Sequence, residues 1–414
     1  MNHPSPVSTP AETQGAEPAF APGSGSVWEV LLAFLKLGLT SFGGPVAHLG
    51  YFRTEFVGRR QWLDDRSYSD LVALCQFLPG PASSQVGMAL GMQRAGWPGA
   101  LAAWLGFTLP SALLLIAFAF GITQFSGLAE SGAVHGLKVV AVAVVAQAVW
   151  GMAGSLCPDK PRAALAILAA LLTLVLPSAL GQVGAIVASG LIGWRLLKLP
   201  HQEPVPHVGY GVSRRTGVAL LMLFVVLLLG LPLLQALMPS ATLVVVEGFY
   251  RAGALVFGGG HVVLPLLQSS VVPAGFVSNA DFLAGYGAAQ AVPGPLFTFA
   301  AYLGAVMQGP LTGWVGGLVL LAVIFVPAAL LVLGALPFWD ALRQRDAVRA
   351  AMAGVNAGVV GLLLSALYDP VWTSAIHSRE DFGLALVAFG LLVYARVSPV
   401  IVVVLGALAG WALS

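Results

Sequence analysis

Gln76-Phe77-Leu78-Pro79-Gly80-Pro81 returns as Gln290-Ala291-Val292-Pro293-Gly294-Pro295, and Phe42-Gly43-Gly44-Pro45 returns as Phe257-Gly258-Gly259-Gly260. The first pair is offset by 214 residues (79 to 293) and the second by 215 (42 to 257), so both lie in one register. In that register Trp62-Leu63 meets Phe276-Val277, and Lys36 meets Arg251. A shared register over so many positions marks a duplicated structural unit. The reading divides the chain into a disordered Pro/Ser/Ala/Gly-rich tail at 1–26, a first repeat at 27–199, a polar loop and linking transmembrane helix at 200–241, and a second repeat at 242–414.

The residues between the motifs place both copies in a membrane. Of 414 residues, 58% are hydrophobic and 9% charged, where a soluble chain carries about 25% charged residues. Residues 98–123 and 216–238 contain no Asp, Glu, Lys or Arg. Runs of about 20 apolar residues suffice to cross a bilayer as helices. Nine full crossings are expected, near 98–121, 136–154, 163–178, 180–197, 216–238, 311–335, 350–367, 382–396 and 398–413. The stretches around the repeated motifs are broken by Gly and Pro, and fit either re-entrant hairpins or pairs of short crossings. No basic run suggests nucleic-acid binding, and Cys75 and Cys157 fit no metal or redox spacing.

Cations orient the two copies. Arg53, Arg59, Arg60 and Arg66 follow the first motif of half one, whereas the matching residues 266–281 of half two hold no Lys or Arg. The bias then reverses. Residues 121–135 carry only Glu130, and the matching loop carries Arg343, Arg345 and Arg349. Since Lys and Arg gather in cytoplasmic loops, the halves cross in opposite senses. The expected fold is therefore an all-α integral membrane protein with two inverted-topology repeats of broken and spanning helices, joined by a linking transmembrane helix. This is an architecture of secondary transporters. The N-terminus is expected in the cytoplasm and the C-terminus outside.

Pro-Gly-Pro removes two backbone donors and ends a helix, and its second proline suits the first turn of the next. Irregular backbone at membrane depth persists where it is buried in protein or lines a wet cavity. A helix N-terminus with hydroxyls beside it suits an oxyanion. The expected substrate contacts are therefore Pro79, Gly80 and Pro81 with Ser83 and Ser84, and Pro293, Gly294 and Pro295 with Thr298. Phe42, Gly43 and Gly44, with Phe257, Gly258 and Gly259, provide close backbone approach at a second point. Gln76 and Gln290 precede their Pro-Gly-Pro turns as polar donors. Lys36 and Arg251 form an expected cationic clamp, against which stands simple pairing with Glu29 and Glu247. Arg94 reads as interfacial, and His48 and His261, which are not register-mates, read as packing residues.

The stretch from Lys36 to Pro45, Trp62-Leu63-Asp64, and Gln76 to Pro81 resemble the amino-terminal domain of the chromate ion transporter family. Arg251 to Gly260 and Gln290 to Pro295 resemble its second domain. Half two departs from half one in having Gly260-His261 where half one has Pro45-Val46. The resemblance implies export of chromate from cytoplasm to periplasm across a bacterial inner membrane, giving chromate resistance. Sulfate or a related oxyanion is the alternative substrate. No P-loop is present, so membrane potential or a proton gradient is the expected drive. No flavin, haem or thiol motif supports a membrane-bound chromate reductase, and no catalytic residue, metal or cofactor is expected. Homo-oligomerisation stays open.

Overall fold

Each half opens with two pairs of short helices, the second pair joined by Pro-Gly-Pro. In half one, α1 (Val27–Thr40) and α2 (Gly44–Phe52) form the first, and α2 runs on as a π-helical turn over Arg53–Arg59. The second joins α3 (Asp65–Phe77) to the start of α4 (Ala82–Gln124). A break at Ala95 and Gly96, where Gly96 takes φ +64°, divides α4 into limbs at 82–94 and 97–124. The computed structural model describes residues 25–41, 44–124, 132–177, 179–198, 210–256, 262–342, 345–373 and 375–413. Most of the expected N-terminal tail and of the polar loop, together with Phe42, Gly43, Phe257, Gly258, Gly259 and His261, lie outside the described residues.

The limbs of these pairs are short. With 14 residues, α1 spans about 21 Å, short of a hydrocarbon core of about 30 Å. The outer ends of the hairpin limbs meet on one face. The Gly25 N–H donates to the Arg94 carbonyl at 2.9 Å. Glu29 pairs with Arg60 at 3.6 Å and with Arg94 at 3.2 Å, and both guanidiniums lie over the Trp62 ring.

Half two repeats this plan with α9 (Ala241–Leu255), α10 (Val263–Val271), α11 (Asn279–Ala291) and α12 (Phe299–Val306). Its outer ends also meet, through Gln308 N–H to the Phe276 carbonyl at 2.8 Å. Local details recur in register. Trp62 N–H donates to Phe56 and Phe276 N–H to Val271. Asp64 caps α3 by accepting from Ser67 N–H, and Ser278 caps α11 by accepting from Asp281 N–H.

Helices lie at all nine stretches predicted to cross. Among the described residues, five are long and apolar enough to span a membrane on length and composition. They are α4, α5 (Gly132–Leu156), α8 (Arg214–Leu237), α13 (Gly313–Ala335) and α15 (Asp346–Ala366). A short helix, α14 (Trp339–Leu342), follows α13. The shorter α6 (Lys160–Val175) and α7 (Ala179–Leu196) pack on α15 of the other half, and α16 (Arg379–Val393) and α17 (Pro399–Leu413) pack on α5. The linking helix α8 leaves Met222, Val226, Leu229 and Leu233 exposed, a face suited to lipid.

Contacts between repeat mates establish the inversion. Trp104 packs on Phe325 and Phe120 on Trp314, with centroids 5.7 and 5.8 Å apart. Rising numbers along the second limb of α4 therefore meet falling numbers along α13, its mate. Mates that run antiparallel are related by an axis lying across them. The same axis exchanges small-residue contacts between halves. A Cβ on Gly193 would sit 2.6 Å from the Gly354 Cα, and one on Gly410 would sit 2.7 Å from the Gly136 Cα. Only glycine permits such backbone approach, a common means of packing membrane helices without a polar bond.

Candidate substrate site at the crossed hairpin tips

The two kinds of tip meet across the halves. Gly294 N–H, in the second Pro-Gly-Pro, donates to the Ser41 carbonyl just before the first Phe-Gly-Gly, at 2.8 Å. Reciprocally, Gly80 N–H in the first Pro-Gly-Pro donates to the Val256 carbonyl just before the second Phe-Gly-Gly, at 2.6 Å. Gly80 and Gly294 take φ of +124° and +91°, a region that disfavours any side chain. These bonds make two crossed junctions, each between the residue before one half's Phe-Gly-Gly and the other half's Pro-Gly-Pro.

A cavity of about 50 Å³ lies at the Ser41–Gly294 junction. Gly44 and Pro45 of α2, Gln147 of α5, Gln290 of α11 and Gly294 are in its wall. Gln147 donates to the Leu392 carbonyl at 3.4 Å. The Gln290 Nε2 is buried with no hydrogen-bond partner among the described residues. An amide nitrogen offers two donors, and a buried donor without a partner is costly unless a ligand or water completes it. The wall thus presents backbone and amide groups and no formal charge.

Side-chain chemistry differs between the junctions. Around Ser41–Gly294, Ser41, His48, Ser83, Thr108 and Ser111 are all at most 1% exposed. Ser111 Oγ donates to the Pro293 carbonyl. The register-mates around Val256–Gly80 are Val256, Val263 and Phe297 and, at the offset of 217 that sets Gly96-Trp97 on Gly313-Trp314 and Pro110 on Pro327, Phe325 and Ala328. There the Pro79 carbonyl is met instead by Gln85 Nε2, at 2.8 Å.

The remaining predicted contacts divide. Ser83 Oγ lies 3.4 Å from His48 Nδ1, and Ser84 is buried with its hydroxyl unpartnered among the described residues. Thr298 is buried but satisfies itself on the Pro295 carbonyl at 2.8 Å. Gln76 is exposed, unlike its mate Gln290. Neither cation lies in the cavity wall. Arg251 pairs with Glu247 at 3.2 Å. Lys36 pairs with Glu55 at 3.4 Å rather than with Glu29, which is engaged by Arg60 and Arg94. Burial alone would raise the Glu55 carboxyl, but the hydrogen bond from Arg60 and the nearby Lys36 and Arg59 charges outweigh it and hold it below the usual carboxylate range.

Sequence reasoning missed Glu55, Gln147, Ser41, Thr108 and the burial of His48. A signal existed for three of them: aligning the halves sets Ser41 against Val256, His48 against Val263 and Thr108 against Phe325. The contacts of Glu55 and Gln147 had no signal in the linear order.

The profile of a family described as chromate transporters matches residues 28–194 and 243–411. A chromate transport protein of Pseudomonas aeruginosa is 29% identical across 97% of this chain and 96% of that protein. Another, from Cupriavidus metallidurans, is 26% identical over 99% of this chain and 98% of its own length. An uncharacterized transporter of Methanocaldococcus jannaschii is 24% identical over 93% of this chain and 94% of its own. No solved structure matches the chain.

Proposed function

Because the chain belongs to the chromate transporter family and is a multi-pass protein of the bacterial inner membrane, we propose that it carries chromate or a like tetrahedral oxyanion out of the cytoplasm through the cavity at the Ser41–Gly294 junction. The observation that carries this reading is the unpartnered amide of Gln290 in a wall built by both halves, at the point where two broken helices cross. Gly44, Gln147, Gln290 and Gly294 are the proposed contacts, with Ser83 and Ser84 behind them on α4. Two repeats, 27–199 and 242–414, rock against each other about this point, as inverted repeats do in secondary transporters. The chain moves its substrate without chemical change.

The basic cluster at Arg53, Arg59, Arg60 and Arg66 faces the cytoplasm, which fixes the N-terminus inside and the C-terminus outside. Outward movement of a dianion is favourable in an inside-negative cell, since each charge gains about 2.3 kcal/mol per 100 mV. The test is chromate uptake by inside-out vesicles with and without an imposed potential, with sulfate as competitor. Potential-stimulated uptake that sulfate inhibits weakly is the expected result. Uptake of sulfate alone would assign a different oxyanion, and uptake of neither would remove the reading.

A further inference from the structure

We propose that His48 is a proton-linked ligand of the transported anion. The inference rests on the transport reading of the neighbouring cavity. His48 lies one turn after Gly44 and Pro45, which form part of the cavity wall. It is 1% exposed, its ring meets Phe107 edge-on at 5.3 Å, and its Nε2 has no hydrogen-bond partner among the described residues. Ser41 Oγ and Thr108 Oγ1 are also buried and unpartnered there. His48 Nδ1 lies 3.4 Å from the Ser83 hydroxyl, which can donate or accept. An imidazolium and hydroxyls offer donors, and no carboxylate stands among these described residues. That composition suits an oxyanion and not a cation.

The charged groups on the surrounding elements are engaged elsewhere. On the π-helical turn after α2, Arg53 pairs with Asp65, while Glu55 binds Arg59, Arg60 and Lys36 of α1. Arg94 of α4 and Glu29 of α1 pair with each other. On α3, Tyr68 donates to the Leu49 carbonyl at 2.6 Å, and Cys75 is a fully buried thiol. A dianion arriving beside the ring is thus the dominant new charge, and it favours the imidazolium. The ring takes a proton from bulk water to become imidazolium, and the proton leaves when the anion does. Linkage makes the effect reciprocal: protonation must tighten anion binding by the factor through which the anion favours protonation. In half two Val263 replaces His48, and Phe297 and Phe325 replace Ser83 and Thr108, so the described residues of that junction include no such group.

The test uses purified full-length protein and sulfate as well as chromate, because sulfate does not itself titrate between about pH 6 and pH 8. Wild type is expected to bind sulfate about tenfold more tightly at the lower pH and to take up as much as about one proton per anion in weak buffer. His48→Gln should flatten the pH dependence and abolish the proton uptake. Ser83→Ala, a smaller change, should shift the midpoint of the pH dependence, and Val263→Thr in half two should leave it unchanged. A wild-type pH profile and proton uptake in His48→Gln would overturn the proposal; if that variant fails to fold, an unshifted profile in Ser83→Ala would do so. Binding of neither chromate nor sulfate by wild type would instead remove the transport reading.

Discussion

The two crossed junctions share a backbone and differ in their side chains. Each is closed by a glycine N–H from Pro-Gly-Pro to the carbonyl before Phe-Gly-Gly, at 2.8 Å in one and 2.6 Å in the other. Beyond that bond, Ser111 stands where the other has Ala328, and Thr108 where it has Phe325. The bond between halves needs only a glycine and a carbonyl, so each copy retains it while its side chains specialise. A buried polar group needs a partner, whereas a buried phenylalanine stabilises by packing alone. One junction is therefore suited to a polar ligand and the other to holding the halves together.

Alanine at the two junction glycines tests this division most severely. A Cβ at residue 294 would meet Ser111 Oγ at 2.6 Å and the Phe107 carbonyl at 3.0 Å. At residue 80 it would meet the Ala328 Cβ at 2.9 Å and the movable end of Gln85. Both substitutions place a side chain in the left-handed region, which costs roughly 1–2 kcal/mol. Gly294→Ala is expected to abolish chromate uptake at matched protein levels. Gly80→Ala should lower the melting temperature and retain transport. Equal loss of transport in both would mean that the junctions act alike.

The two cations form a second contrast. Arg251 is the partner found for Glu247, whose side chain is 7% exposed. Arg251→Gln leaves that carboxylate buried without a countercharge, a change that costs about 3 kcal/mol or more. Thermal unfolding in detergent should show a marked fall, and Glu247→Gln combined with Arg251→Gln should recover most of it. Lys36 is 52% exposed, and its partner Glu55 keeps Arg59 and Arg60 when Lys36 is removed. Lys36→Gln should therefore cost less than about 1 kcal/mol. A large drop in anion affinity at unchanged stability would place Lys36 in contact with the substrate after all.

The sequence made the repeat, the long apolar helices and the inversion legible because each follows from local facts: register, apolar run length and the sign of the loops. Helix breaks at Pro79–Pro81 and Pro293–Pro295 were legible for the same reason. Partner choice was not. Lys36 reaches a carboxylate 19 residues away through the return of a hairpin, and Gly294 bonds a residue in the opposite half. Both contacts depend on how broken helices cross, and no periodicity encodes that. His48 looked isolated because its mate is a valine; the absence of a mate was itself the sign that the halves had diverged.

Gln76 and Gln290 allow the mildest test, because they are register-mates of identical type in different surroundings. Gln290 places a buried, unpartnered amide in the cavity wall, whereas Gln76 is exposed. If the cavity holds the anion, Gln290→Ala removes a donor made available only there. A hydrogen bond to a charged group contributes roughly 1.5–3 kcal/mol, so the half-saturating chromate concentration should rise about tenfold or more. Gln76→Ala removes a group already hydrated or lipid-facing and should change it by less than about twofold. Stability should rise in Gln290→Ala, which relieves an unsatisfied buried amide, and stay nearly unchanged in Gln76→Ala, which relieves nothing. A Gln290→Ala protein that melts higher and binds chromate less tightly would show that this amide is held in reserve for the ligand. If both variants leave affinity unchanged, the anion path runs outside this cavity, and the asymmetry of the glutamines is only one of packing.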